Sequence, residues 1–400
     1  MIQPTDLNLR HIEAFVAVCH LGSITAAASS VNLSQPTVTQ ALAKLEQRLG
    51  HRLFDRHSDG VTPTSAGTLF GSRVERAITR LSQTCRVVRR ASRLAPLAYP
   101  QRIVTMTQLR AFLGVERNGT YALAARELGL AQPSVHRAAR ELRDILGTPL
   151  FVRVGQRMRT TPSGDRLARG VRLALVELRA GLDELAALTA GGGGRIVIGT
   201  LPLPRARLLP ETLARFASRL PRADIRVVEG PYADLLSGLR SGDIDLLIGA
   251  LRTPGPGRDV VQRRLFDDDL FIVAATDHPL AGREVSHDEL ARYPWIIAPP
   301  GSPMRTTWDA MFAGRSRPEQ HIECGSILVI RGVLLAGDWL ALMSVDQFPI
   351  ENRAGFLAAI GPSVPGSRRS IGVATRADWI PAETQAALVA TLFAVAGERE

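Results

Sequence analysis

Four hundred residues, 45% of them hydrophobic, leave room for two or three domains with ordinary cores and exclude a chain too polar to fold. Three scattered cysteines, Cys19, Cys85 and Cys324, exclude a disulfide framework. No apolar run approaches the ~20 residues of a membrane span and no basic-then-apolar leader opens the chain, so a soluble cytoplasmic protein is expected. The net charge of +11 is uneven: residues 1–190 hold 26 Lys and Arg against 14 Asp and Glu, and residues 191–400 hold 23 against 24. Arginine supplies nearly all the positive charge and its fork suits phosphate oxygens and guanine edges, so the front half has the make-up of a polyanion binder.

Residues 15–67 are matched without a gap by residues 112–164, at a constant offset of 97 positions. One recurrence argues for domain duplication, because a solenoid needs more stacked units. In the first copy Ile12, Phe15, Val16 and Cys19 recur at helical spacing until Gly22-Ser23 breaks the pattern and caps a short second helix through Ala26, Ala27, Ala28 and Val31. Ser34 then caps a third helix, whose opening Gln35-Pro36 tolerates proline because first-turn N–H groups lack intrahelical partners. Val38, Leu42, Leu45 and Leu49 form its inward stripe. Pro36, Thr37, Gln40, Ala43 and Lys44 face outward, with Gln35 and Thr39 at the rim. Short side chains permit close approach to a groove, and amides and hydroxyls can read base edges. Gly50 stops the helix, and Leu53-Phe54-Asp55-Arg56, Ser58-Asp59-Gly60 and Thr62-Pro63-Thr64 read as two strands around a turn, completing a winged helix-turn-helix.

A linker helix follows, with Val74, Ile78, Leu81, Cys85 and Val88 on one seam, and residues 93–104, with Pro96 and Pro100, read as a stiff connector outside any core. The second copy repeats the skeleton, but its outward positions differ: Thr39 becomes His136, Gln40 becomes Arg137 and Ala43 becomes Arg140. Ala131 stands where the first copy has its capping serine. A second linker helix carries Val171, Ala174, Leu178, Leu182, Leu185 and Leu188. Since one chain owns both helices, two pairings are open. Within a chain they would make a pseudo-twofold pair able to read an asymmetric site; between chains they would give four units per dimer.

Gly191 to Gly194 read as a flexible joint. Beyond it, strands at 195–199, 225–228, 245–249, 270–275, 295–298, 340–344 and 371–375 alternate with helices at 208–220, 235–241, 327–336 and 384–396, which predicts parallel sheets with crossover helices. Ligands of such sheets sit beyond strand ends, making Thr200, Leu201, Pro202, Gly230, Pro231, Tyr232, Pro300, Gly301, Ser302, Arg305, Ser326, Ile327, Leu328 and Ser344 the cleft candidates. Asp267-Asp268-Asp269 reads as an exposed acidic run, and His278, His287 and His321 lack partners at ligand spacing. No catalytic constellation, metal set or cofactor motif is expected.

The run Leu33-Ser34-Gln35-Pro36-Thr37-Val38-Thr39-Gln40, followed by Leu45-Glu46, Leu49-Gly50 and Leu53-Phe54-Asp55-Arg56, closely resembles the N-terminal domain of LysR-type transcriptional regulators. The alternation after residue 195 and His278-Pro279 resemble the two-lobed effector domain of the same family. The resemblance implies groove contacts by Gln35, Pro36, Thr37, Thr39, Gln40 and Lys44 with Arg56 in the wing, and in the second copy by Gln132, Pro133, Ser134, His136 and Arg137 with Arg153. It also implies antiparallel pairing of linker helices and a non-catalytic, effector-controlled regulator of promoter DNA acting as a homo-oligomer, with RNA polymerase a candidate further partner. The loop from Leu201 to Arg207, with two prolines and few hydroxyls, is a poor phosphate cradle, and a small organic acid or sugar-derived effector is expected. The expected fold is multidomain: winged units at 8–66 and 105–163, linkers at 67–104 and 164–194, and a periplasmic-binding-protein-like α/β effector domain at 195–400. Lobe I would take about 195–270 and 367–400, and lobe II about 271–366. The rival reading is a solute-binding or enzymatic α/β domain tethered to DNA by a helix-turn-helix tail.

Overall fold

The computed structural model describes residues 2–58, 60–190 and 193–398; Asp59 of the expected wing turn and Gly191 and Gly192 of the expected joint lie outside them. The chain divides into two units, one of Met1–Gly194 with Ser241–Asp243, the other of Arg195–Arg240 with Ile244–Glu400.

In the first unit α1 (Leu9–Leu21), α2 (Ile24–Ser30), α3 (Gln35–Leu49), β1 (Phe54–His57), β2 (Gly60–Pro63) and the long α4 (Ser65–Ala91) are followed by α5 (Met106–Asn118), α6 (Tyr121–Leu128), α7 (Gln132–Leu146), β3 (Phe151–Val154), β4 (Arg157–Thr160) and α8 (Pro162–Ala190). The starts follow local chemistry. Asn8, Ser23, Ser34 and Thr64 each accept a backbone N–H two or three residues on, and glycines 22 and 50 end α1 and α3 in the left-handed region. Both copies of the repeat end on a glycine for a steric reason. A β-carbon at Gly67 would lie 2.0 Å from the Leu53 carbonyl oxygen, and one at Gly164 would lie 2.2 Å from that of Leu150.

One core runs through both copies. Val74, Ala77, Leu81, Cys85 and Val88 of α4 are buried in the same cluster as Val171, Ala174, Leu178, Leu182 and Leu185 of α8. The two helices are antiparallel, because Phe70 and Arg73 lie against Gly181 while Thr84 lies against Gly170. The linker helices therefore pair within one chain. Leu188, expected on the seam, is instead 53% exposed. The connector also departs from expectation: Pro100, Gln101 and Val104 are buried, and the 3-10 turn Pro100–Arg102 packs on α1 and α4. Reciprocally, the turn Pro4–Asp6 packs on α5 and α8. These turns correspond to each other at nearly the repeat offset, so the duplication begins before the first helix of each copy.

The second unit contains two five-stranded mixed sheets. The first has the order β6 (Asp224–Glu229), β5 (Arg195–Thr200), β7 (Leu246–Ala250), β14 (Arg369–Arg376), β8 (Val260–Asp268), with α9 (Leu208–Arg219), α10 (Tyr232–Ser241) and the chain-closing α15 (Glu383–Gly397) as its helices. The second has the order β11 (His321–Glu323), β10 (Trp295–Ile297), β12 (Leu340–Ser344), β9 (Leu270–Ala275), β13 (Leu357–Ile360), with α11 (His287–Leu290), α12 (Pro303–Met311), α13 (Ile327–Leu334) and α14 (Pro349–Arg353). Three strands of each sheet are parallel, as the alternation predicts, but β14 runs antiparallel to β7 and β8, and β9 antiparallel to β12 and β13. The last strand and helix thus return to the first sheet. Apolar residues cover both faces of each sheet: Ile198 and Phe216 on one side of the first and Leu239 and Leu247 on the other, with Trp295 and Phe312 against Val273 and Met343 in the second.

The acidic run is not an exposed face. Asp268 is buried at the end of β8, where it accepts both Arg369 Nε at 3.1 Å and Nη2 at 3.0 Å, while Asp267 is bonded to Arg264, Arg368 and Ser370. Alternation along a strand put these carboxylates beside the basic start of β14, a pairing 101 residues apart in sequence that no local pattern signals.

Candidate nucleic-acid interface and ligand cleft

On α3 the apolar stripe Val38, Leu42 and Leu45 is buried, which leaves Gln35, Pro36, Thr37, Gln40 and Lys44 exposed. The Ser34 hydroxyl accepts the Thr37 N–H at 3.3 Å and lies 2.7 Å from the Thr37 hydroxyl, so the start of this helix is held by its own cap. Thr39 is half-buried and donates its hydroxyl to the Gln35 carbonyl at 3.0 Å, occupying the group expected to read a base. Arg56 is exposed on the wing strand β1. Behind that wing, the Glu46 carboxylate accepts the backbone N–H groups of Leu53 at 2.7 Å and Phe54 at 3.3 Å, tying α3 to β1.

In the second copy Gln132, Pro133, Ser134, His136 and Arg137 are all exposed on α7, over buried Val135, Ala138, Ala139 and Leu142. Its N-cap Ala131 makes no side-chain cap, and the His136 ring rests on Tyr121 of α6 at 4.9 Å. Arg153 is exposed on the second wing and donates to the Gly155 carbonyl at 3.1 Å. The opposite wing strand adds exposed Arg157 and Arg159, which the repeat comparison passed over because their equivalents are Gly60 and Thr62. The first surface is polar with few charges; the second is arginine-rich on both helix and wing.

The thiols fit a structural role. Burial, reinforced by Glu75, pushes Cys19 up to about 12, and burial pushes Cys85 to about 12, so neither ionises near neutrality.

In the second unit a cleft of about 930 Å³ opens between the two sheets and is lined by Leu201, Pro202, Gly230, Pro231, Tyr232, Pro300, Gly301, Ser302, Ser326, Ile327 and Leu328, which the structure brings together as expected from strand ends. A narrower cavity of about 110 Å³ shares Leu201, Pro202, Arg252, Ser302, Ile327 and Gln347 with it and adds Trp308 and Arg369. Three expected residues stay out of the cleft. Thr200 is fully buried and donates to the Leu201 carbonyl at 3.1 Å. Arg305 is taken up by Asp309 and Glu323, each at 3.2 Å. Ser344, also fully buried, donates to Asp268 and accepts the Asp346 N–H at 3.2 Å, so it fastens the sheets to each other rather than facing a ligand.

The cations of the narrower cavity, Arg252 and Arg369, went unread because neither follows a parallel strand into a helix. The Arg252 guanidinium lies 4.4 Å over the Tyr232 ring. Burial draws the Arg369 guanidinium below its ordinary value, Asp268 opposes the shift and the nearby Arg252 charge adds to it. Among the described residues no group of His, Cys, Asp and Glu has metal-site geometry, and no helix is long and apolar enough to cross a membrane.

Two sequence families match this chain. The family described as "Bacterial regulatory helix-turn-helix protein, lysR family" matches twice, at residues 9–68 and 106–165, and "LysR substrate binding domain" matches residues 189–396. The chain is 31% identical over 394 residues, 98% of each chain, to the HTH-type transcriptional regulator GalR of Pseudomonas putida. It is 30% identical to the regulator CbbR of Xanthobacter flavus over 64% of this chain and 77% of that one. Among solved structures it resembles ArgP from Mycobacterium tuberculosis with a TM-score of 0.58 and 16% identity, covering 72% of this chain and 96% of that one. It resembles a full-length OxyR variant from Pseudomonas aeruginosa with a TM-score of 0.53 and 20% identity, covering 72% and 93%.

Proposed function

The chain belongs to the LysR family of bacterial transcriptional regulators, and from that premise we propose that an organic acid bound between its two α/β lobes controls its hold on promoter DNA. It is a regulator and not an enzyme. A tethered solute-binding or enzymatic domain is not favoured, because a named regulator matches the entire architecture. We assign DNA reading to residues 8–66 and 105–163 and effector sensing to 195–400. Gln35, Pro36, Thr37, Gln40 and Lys44 enter the major groove, with Thr39 shaping that surface, and Arg56 holds phosphate; Gln132, Pro133, Ser134, His136, Arg137 and Arg153 serve the second copy. Such a protein works in the bacterial cytoplasm, where a changed grip on the promoter alters access or contact for RNA polymerase.

The observation that carries the effector class is the placing of Arg252 and Arg369 beside Trp308, Leu201 and Pro202 in one small cavity. The Arg252 guanidinium against apolar walls, beside an Arg369 that Asp268 already holds, suits a carboxylate on a flat or short apolar body better than a neutral sugar. Ligand closure of the lobes acts on DNA only if the two lobe arrangements differ in effector affinity. Calorimetric titration of sugars, sugar acids and aromatic acids, run beside DNA footprints, tests this. An acid should bind and alter the footprint, and Arg252→Ala should weaken it at least tenfold while leaving effector-free DNA binding intact. A footprint indifferent to every ligand tested, or a neutral sugar unaffected by Arg252→Ala, would overturn the assignment.

A further inference from the structure

Arg80 and Glu177 occupy the same position in the two copies, 97 residues apart, and they face each other across the α4·α8 pair at 2.9 Å. In a twofold arrangement a side chain that meets its own equivalent lies beside the axis. Pairing two first copies would place arginine on arginine there, and pairing two second copies would place glutamate on glutamate. Only a first copy against a second makes the ion pair. The same carboxylate also accepts Arg76 Nη2 at 2.9 Å, and Arg73 Nε lies 3.1 Å from Glu184, with Arg73 and Glu177 both nearly inaccessible to water. Their second-copy and first-copy equivalents, Leu173, Gly170 and Val87, could not reproduce these contacts in a like-with-like pair.

Shape repeats the lesson. Arg73 packs on Gly181 and Thr84 packs on Gly170, and the equivalents of Arg73 and Thr84 are those same two glycines. First-copy pairing would drive Arg73 into Thr84 on both sides of the axis, whereas second-copy pairing would leave glycine facing glycine. At a third place, buried Glu13 of α1 accepts Gln101 Nε2 at 3.0 Å and Arg102 Nε at 2.8 Å from the turn that precedes the second copy. The equivalent of Glu13 is Arg110, which in a pair of second copies would meet Arg102 instead.

We infer that the duplicated half is an obligately unlike pair, in which a polar recognition helix and an arginine-rich one are locked in fixed order, and that its partner is a composite duplex site whose two half-sites differ in sequence. This rests on the DNA-reading role given above for α3 and α7. A pair of identical heads reads an inverted repeat; a pair with Gln40 in one head and Arg137 in the other reads two dissimilar halves, the arginine favouring guanine.

The experiment uses the full chain. Duplexes are selected from a random pool, and the recovered site is compared with a version whose second half is replaced by an inverted copy of the first. The expected site has unlike halves, the replacement weakens binding at least tenfold, Gln40→Ala relaxes base preference in one half only and Arg137→Ala in the other only. In parallel, Arg80→Glu and Glu177→Arg should each lower the melting temperature, and the double exchange should be more stable than Glu177→Arg alone, recovering the Arg80 share of the loss while Arg73 and Arg76 still lack the Glu177 carboxylate. A recovered inverted repeat, equal affinity for the replaced site, or a footprint of a single half overturns the composite site while leaving DNA reading intact. A double exchange no more stable than Glu177→Arg alone overturns the pairing code. Failure to select any sequence would overturn the DNA-reading assignment and this inference together.

Discussion

Thr84 and Gly170 sit so close that a β-carbon on the glycine would lie 1.9 Å from the threonine hydroxyl oxygen. Gly→Ala inside a helix ordinarily gains ~1 kcal/mol of helix propensity. Here Gly170→Ala should instead cost ~1–3 kcal/mol through overpacking, and adding Thr84→Ala should restore most of it. Urea unfolding of the three variants measures this. A stabilised single variant would mean that the two helices do not touch at this point.

Glu177 gathers three arginines in a nearly dry interface, so Glu177→Ala should cost ~3–5 kcal/mol by removing the carboxylate that Arg73, Arg76 and Arg80 share, although Arg73 keeps Glu184. Replacing Glu184, whose carboxylate is more open, should cost less. Chemical denaturation of both variants ranks them.

The same carboxylate makes stability acid-sensitive. Burial alone would raise Glu177, but hydrogen bonds and charge from Arg76 and Arg80 outweigh it and hold it below 4.5. A folded value under the unfolded one contributes stability that is present above pH 4.5 and lost as pH falls through the lower folded value. Melting temperatures from pH 7 to pH 3 should therefore fall more steeply below pH 4.5 for the natural chain than for Glu177→Gln; parallel curves would remove Glu177 from the account.

On DNA, Gln40→Ala should cost ~1–3 kcal/mol on the selected site and little on random duplex. Thr39→Ala should cost less than Gln40→Ala, since that hydroxyl already serves the Gln35 carbonyl. Arg56→Ala should weaken both duplexes and flatten the salt slope by ~1, the signature of one lost phosphate contact. Salt titrations by fluorescence anisotropy separate these outcomes.

Supplying the missing cap is a gain-of-stability test. Ala131→Ser places a hydroxyl where Ser34 caps α3, and should stabilise the second copy by ~1 kcal/mol, read as a raised unfolding midpoint. An unchanged midpoint would indicate that backbone geometry at Ala131 already satisfies the helix.

The winged units were legible because local signals set them: caps, a proline in a first turn, glycines after helices and a repeat that exposed which positions are invariant in the fold. The buried connector was hidden because Leu7 and Val104 match in burial and not in identity, while proline spacing suggested a free strut. In the second unit, strand-end loops found most of the cleft lining. Arg252, Arg369 and the Asp268–Arg369 ion pair were beyond reach, since they depend on antiparallel strands that close each sheet from distant parts of the chain. Thr200 and Ser344 show the converse error: a polar residue at a strand end can equally finish an internal bond as face a ligand.

The closure of α4 on α8 inside one polypeptide also changes what a single mutation can do. Two identical subunits inherit every change in duplicate, so both half-sites must shift at once for binding to survive. With the composite site proposed above, a codon change in α7 would touch one half-site and leave the α3 contact in force, holding the protein at its promoter while the other half drifts. The tether also keeps the paired heads together at any dilution, so a few copies per cell suffice to keep the DNA-reading pair assembled.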